Sequence, residues 1–205
     1  MQLFKKRKNG LFGSLMRGVA ALFLGSLLLA GCSKANLRNA PADEIAVNTT
    51  RVAASGQPGI DYQAPLLTQE HWQVDMGGED ALSYRLSGHA DMAGSAGRIV
   101  RHRLDVDSEY RAKHPAGYLE VRFADGALRP IANLTHESER CQEFNSLQSG
   151  CTFRDRFSIS LSTEELAAFA KTGFNARLVA KSGDLQKIEL PPSYIQGYLK
   201  AVNTN

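Results

Sequence analysis

The 205-residue chain has three cysteines, one tryptophan and no apolar run long enough to cross a bilayer, which takes about 20 residues. Three cysteines are too few for a cystine-stapled miniature scaffold. Sequence motifs that carry chemistry are missing as well. There is no GxSxG, because Gly94-Ser95-Ala96-Gly97 has the wrong spacing, and no SxxK, GxGxxG or P-loop. His136-Glu137-Ser138-Glu139-Arg140 begins like a zinc-protease helix but has Arg where the second histidine ligand belongs. None of the five histidines (His71, His89, His102, His114, His136) has another at ligand spacing. No catalytic residue, metal or cofactor is expected from these patterns.

The N-terminus is the most informative stretch. Met1-Gln2-Leu3-Phe4-Lys5-Lys6-Arg7-Lys8 is basic with no acid, and an apolar stretch follows from Val19 to Ala30, broken only by Gly25 and Ser26. At about a dozen residues it has the length of a signal-peptide core. It ends in Leu29-Ala30-Gly31-Cys32. This segment resembles the signal peptide and lipobox of bacterial lipoproteins, over residues 1–32 only. The resemblance implies a diacylglyceryl group on the Cys32 sulfur, cleavage just before Cys32 and acylation of the new amine. One myristoyl chain holds a protein only marginally, at roughly 0.8 kcal/mol per buried methylene, so two or three chains keep it on the membrane. Ser33, which is not Asp, favours the outer membrane in that class, on the periplasmic face; Lys34 pulls toward retention in some bacteria.

Processing also changes the charge. The signal holds Lys5, Lys6, Arg7, Lys8 and Arg17 and no acid, so the mature chain keeps 19 basic against 21 acidic residues. The basic precursor is therefore no argument for nucleic acid as a partner. With Cys32 acylated, Cys141 and Cys151 remain, and an even pair in an oxidising compartment reads as a disulfide. It closes a loop of 11 residues, worth roughly 3 kcal/mol in the chain-entropy model.

Residues 1–31 are thus expected to be signal, 32–65 a flexible tether rich in Ala, Asn, Pro, Ser, Thr and Gly, and 66–205 one domain. From Thr68 the apolar period is 2. Trp72, Val74 and Met76 fall on one side, then Leu82, Tyr84 and Leu86 after the Gly77-Gly78 turn. His102, Leu104 and Val106 alternate with Arg101, Arg103, Asp105 and Asp107, and Leu119, Val121 and Phe123 with Tyr118, Glu120 and Arg122. Asp125-Gly126 signals a hairpin, leading to Leu128, Ala132 and Leu134, where Pro130 marks an edge or a bulge. Phe153, Phe157, Ile159 and Leu161 make a further strand, and Phe174 to Leu178 and Ile188 to Leu190 the last two. Ser162-Thr163-Glu164-Glu165 is a capping box opening a helix that stops at Gly173. A second helix starts near Pro191-Pro192 with the stripe Ile195, Tyr198, Leu199 and Val202. Many short strands and two helices predict a mainly β fold, an antiparallel β-sandwich, immunoglobulin-like or similar, in which a short helix carries the chain between sheets.

Candidate site residues follow from the alternation. Outward Arg101, Arg103, Arg122, Arg154 and Arg156 make an anion- or partner-binding surface if their strands are neighbours; otherwise Asp105, Asp107 and Glu120 neutralise them. His102 reads as a core histidine. Asp105, Asp107 and Glu109 read as a solvated face before a calcium site, and His89 with Met76 and Met92 is a weak soft-metal candidate. Asp155 points inward, so it pairs with an Arg, marks a bulge or sits at the sheet rim. The function expected is a membrane-anchored, non-enzymatic binding or envelope-assembly module with an envelope protein as partner. An inhibitor or small-ligand-binding lipoprotein is the alternative. An enzyme would need Asp155 or His89 to meet a second titratable group in a cleft.

Overall fold

A computed structural model describes residues 37–56, 58–73, 78–91, 99–142, 150–181 and 185–204. Cys32 and the whole of the expected signal segment lie outside them, as do Val74, Met76, Gly77 and Met92. The described chain runs through a 3-10 turn at Leu37–Asn39, α1 Ala42–Asn48, β1 Thr50–Ala53, β2 Gly59–Gln63, β3 Leu67–Gln73, β4 Gly78–Asp91, β5 Val100–Ala112, β6 Tyr118–Phe123, β7 Leu128–Pro130, β8 Ala132–Gln142, β9 Gly150–Leu161, α2 Thr163–Thr172, β10 Phe174–Ala180, β11 Leu185–Leu190 and α3 Pro192–Asn203.

The strands form two antiparallel sheets. The larger has seven strands in the order β1-β2-β4-β5-β9-β8, with β3 also on β4; the smaller has the order β11-β10-β6-β7. β2 and β3 share one edge of the 14-residue β4, pairing with its C-terminal and N-terminal halves. The expected alternation holds on β5, where His102, Leu104, Val106, Ser108 and Tyr110 are buried and their neighbours face out. On β6 it holds for Val121 and Phe123 but is reversed at the start, where a register shift buries Tyr118 and exposes Leu119. The small sheet covers only part of the large sheet's inner face. There Tyr118 meets Phe157, ring centroids 5.5 Å apart, and Tyr84 donates to the Glu189 carbonyl at 3.0 Å. The rest is covered by α3, whose Tyr194 and Tyr198 are fully buried. Tyr194 donates to the Pro65 carbonyl (2.7 Å) and Tyr198 bonds His102 Nδ1 (2.8 Å). Gly88 makes this possible, since a Cβ there would lie 2.4 Å from the Tyr198 hydroxyl. His102 is thus a core histidine, and burial lowers its pKa.

Local signals act as read. Ser162 accepts from the Glu165 amide while Glu165 reaches back to the Ser162 amide, and Gly173 ends α2 at φ 82°. α2 carries the chain from the large sheet to the small one. Gly126 turns the β6–β7 hairpin at φ 87°. The single strand expected from Leu128 to Leu134 is two: β7 edges the small sheet, and after Ile131 the chain crosses to β8, the edge of the large one. Cys141 and Cys151 are bonded across the β8–β9 pair.

The tether expected over 32–65 is corrected from residue 37 onward. Those residues belong to the domain, and the described residues form three α-helices rather than two. α1 docks on α3 because Gly197 leaves room for it; a Cβ at Gly197 would lie 2.5 Å from Ile45 Cβ, and Ile45 is fully buried. β2 adds Tyr62, also fully buried, to the same core. Among the described residues no helix is long and apolar enough to cross a membrane.

Candidate functional site

The outer face of the large sheet is a polar trough. One hollow of about 410 Å³ reaches from Ser55 beside β1 to Asn133 on β8, across Gln63, Ser87, Arg103 and Ser160. A second, of about 490 Å³, continues over Arg85, Asp105, Asp107 and Arg156 and shares Arg103, Asn133 and Ser158 with the first. Both edges of the sheet thus line one depression, as strong coiling of a long sheet produces. Asn133 forms part of its rim where β8 is irregular. Its φ of 54° is left-handed, a conformation Asn accepts more readily than most residues, and its amide donates to Ser158 Oγ at 3.3 Å.

The trough's charges hold one another. Register places Arg103 between Ser87 and Ser160, and Asp107 between Ser83 and Arg156. Arg103 donates to Ser87 Oγ (3.0 Å) and pairs with Asp105 (2.8 Å), while Ser87 donates to Asp105 (2.6 Å). Arg154 grips Asp107 with two bonds, 2.8 and 2.6 Å; Arg156 adds a third at 3.2 Å and pairs with Glu137 at 2.7 Å. Burial opposes the charged form of Asp107, but these guanidinium bonds outweigh it and its pKa is lowered. The same contacts raise that of Arg154.

His89 sits at one end. Its Nδ1 meets Asp61 at 2.7 Å and its Nε2 meets Asp91 at 3.1 Å, with Arg101 closing on Asp91 at 3.2 Å. The ring occupies space that only a glycine leaves open: a Cβ on Gly59 would lie 2.6 Å from His89 Cε1. Both ring nitrogens are engaged by carboxylates. Among the described residues no cluster of three or more His, Cys, Asp or Glu is arranged to hold a metal.

Four of the five expected arginines, Arg101, Arg103, Arg154 and Arg156, share this face. Arg122 does not: it lies on the small sheet, opposite Arg177. Nor is the shared face a cationic stripe, because Asp91, Asp105, Asp107 and Glu137 neutralise it. Glu120, expected to help, is on the small sheet with Arg122.

Asp155 is buried on β9, between β5 and β8, and none of the three readings open to it is the outcome: its partners are a tyrosine and a histidine. Tyr110 donates to it at 2.7 Å and His136, directly opposite on the edge strand, meets it at 2.5 Å. His136 also stacks on Phe153. Alternation identified Asp155 as costly to bury, but nothing in the sequence announced that His136 would lie opposite. An Asp–His pair orients an imidazole, but among the described residues no hydroxyl or thiol bonds His136. Ser108, opposite Asp155, is fully buried and bonded to Tyr118 and Gln186.

Comparison with known protein families, curated proteins and solved structures gives no match.

Proposed function

We propose that the chain is a lipoprotein acylated at Cys32, held at the periplasmic face of the outer membrane, whose domain is a non-enzymatic binding or assembly module. The observation that carries the binding reading is the trough, with its charged floor fixed by mutual ion pairs. Such a surface is preorganised and nearly neutral. It recognises a partner by its pattern of hydrogen-bonding groups. The occupant we favour is a polar segment of another envelope protein.

The test is crosslinking from within the trough. The acylated protein carries a photo-crosslinker at Gln63, with Ser160→Trp as the variant that fills the trough without breaking an ion pair. A single protein captured by the parent and lost in Ser160→Trp supports the reading. Equal capture by both, or none, overturns it. A small polar ligand is the second reading, because each hollow has the volume usual for ligand pockets, about 300–1,000 Å³. It is favoured if no protein is captured while an envelope extract raises the melting temperature of the parent and not of Ser160→Trp.

A further inference from the structure

On the outer face of the small sheet, Lys187, Arg177 and Arg122 lie in one cross-strand row, which ends at Leu128. Arg122 and Arg177 are exposed and directly opposite each other. Like charges so placed repel, and neither arginine forms an ion pair with a described residue. Glu189, one row away, is shared by Lys187 and Arg38. The row crosses three strands, a span of about 10 Å at normal strand spacing. Leu128, at its end, is 50% exposed.

The described chain begins beside this sheet. Arg38 reaches Glu189 of β11 at 3.5 Å and Tyr84 at 2.8 Å. Residues 37–65 are folded into the domain, so the link from the lipid-bearing position to the domain is short. Five steps from Cys32 to Leu37 reach at most about 18 Å when fully extended, where a 30-residue tether would have spanned roughly 30 Å and let the domain tumble.

We infer that the small sheet's outer face docks on the anionic phospholipid surface of the bilayer holding the Cys32 acyl chains, with Lys187, Arg177 and Arg122 on lipid phosphates. The inference rests on acylation at Cys32. A cationic row beside a short leash meets that surface at high effective concentration, and its attraction adds to the anchor and falls with salt. The trough, on the opposite sheet, is then presented away from the lipid.

Full-length acylated protein, isolated from membranes, is reconstituted in vesicles of phosphatidylcholine alone or of a phosphatidylglycerol-rich mixture. A polarity-sensitive dye is placed at Leu128→Cys or, on the edge of the other sheet, at Thr135→Cys, and headgroup nitroxides serve as quenchers. The expected result is a blue shift and quenching at position 128 in the acidic vesicles only, with position 135 unaffected. The docking equilibrium should fall about five-fold for each cation removed in Arg122→Gln and Arg177→Gln, and fall again with salt. Equal signals at 128 and 135, or at 128 in both lipids, overturn the inference. The mass of the N-terminal peptide reads the anchor separately. Acylated protein with equal signals defeats only the docking, whereas an unmodified Cys32 defeats both.

Discussion

On the outer face of the large sheet, Arg154 lies between Glu109 and Glu137 and bonds Asp107; on that of the small sheet, Arg177 lies between Arg122 and Lys187. Both arginines sit mid-strand, facing away from the core, so neither position is dictated by folding. The large sheet pairs Arg103, Arg154 and Arg156 with its own carboxylates and keeps a fixed floor for a polar partner. The small sheet leaves like charges side by side, an arrangement that lowers stability unless an anion is supplied from outside. Charge resolved within the fold is structure; charge left unresolved is a demand on the surroundings.

If matching is a stabilising feature of the large sheet, breaking it where burial is deepest should have the largest effect. Asp155→Ala strips the partner from Tyr110 and His136 and should lose about 3 kcal/mol. A shift in the urea midpoint worth less than about 1 kcal/mol would mean that the pair is not maintained in solution. His136→Gln, at the exposed end of the pair, should lose less.

Next comes the trough floor. Arg154→Glu removes a two-point grip on Asp107 and sets a carboxylate between Glu109 and Glu137, for a loss of about 2 kcal/mol by the same measurement. Acid titrates the same contact. The Asp107 pKa is lowered in the fold, so its contribution is fully present above the ordinary carboxylate value near 4 and is lost as pH falls through the lowered value. Asp107→Asn should be weaker at neutral pH by about 1 kcal/mol and should lack that acid arm. The buried, neutral His102 adds a separate decline that begins near pH 6.5, because the unfolded chain binds its proton first. The two variants, Asp107→Asn and His102→Gln, should therefore flatten different parts of the stability–pH curve.

Much of this was legible in the sequence because it was local or periodic. The inward sets on β5, β9 and β10, the capping box at Ser162, the Asp125-Gly126 hairpin and the cystine all read correctly. α1 and β1 did not. α1 has seven residues, one buried, and a proline cap without a side-chain bond; all four residues of β1 are exposed. Neither carries an apolar period: α1 is held by Gly197, distant in sequence, and β1 only by pairing with the next strand, β2. The charge pattern failed for a related reason. Alternation says that Arg101, Arg103, Arg122, Arg154 and Arg156 point outward, but only sheet membership says that Arg122 stands apart, and only register says which carboxylate faces which arginine.

The smallest effect is the one that sharpens the contrast most, because it should have the opposite sign. Arg177→Glu places a carboxylate between Arg122 and Lys187, turning two repulsions into two attractions. At an exposed cross-strand site each such change contributes a few tenths of a kcal/mol. The variant should therefore be more stable than the parent, by about 0.5 kcal/mol, in low salt, and the gain should shrink as salt screens it. The reversal that loses stability on one sheet would gain it on the other. Chemical denaturation at two ionic strengths decides it. A destabilised Arg177→Glu would show that Arg177 already has an internal partner, and the small sheet's cations would then be no more open to an anion than those of the trough.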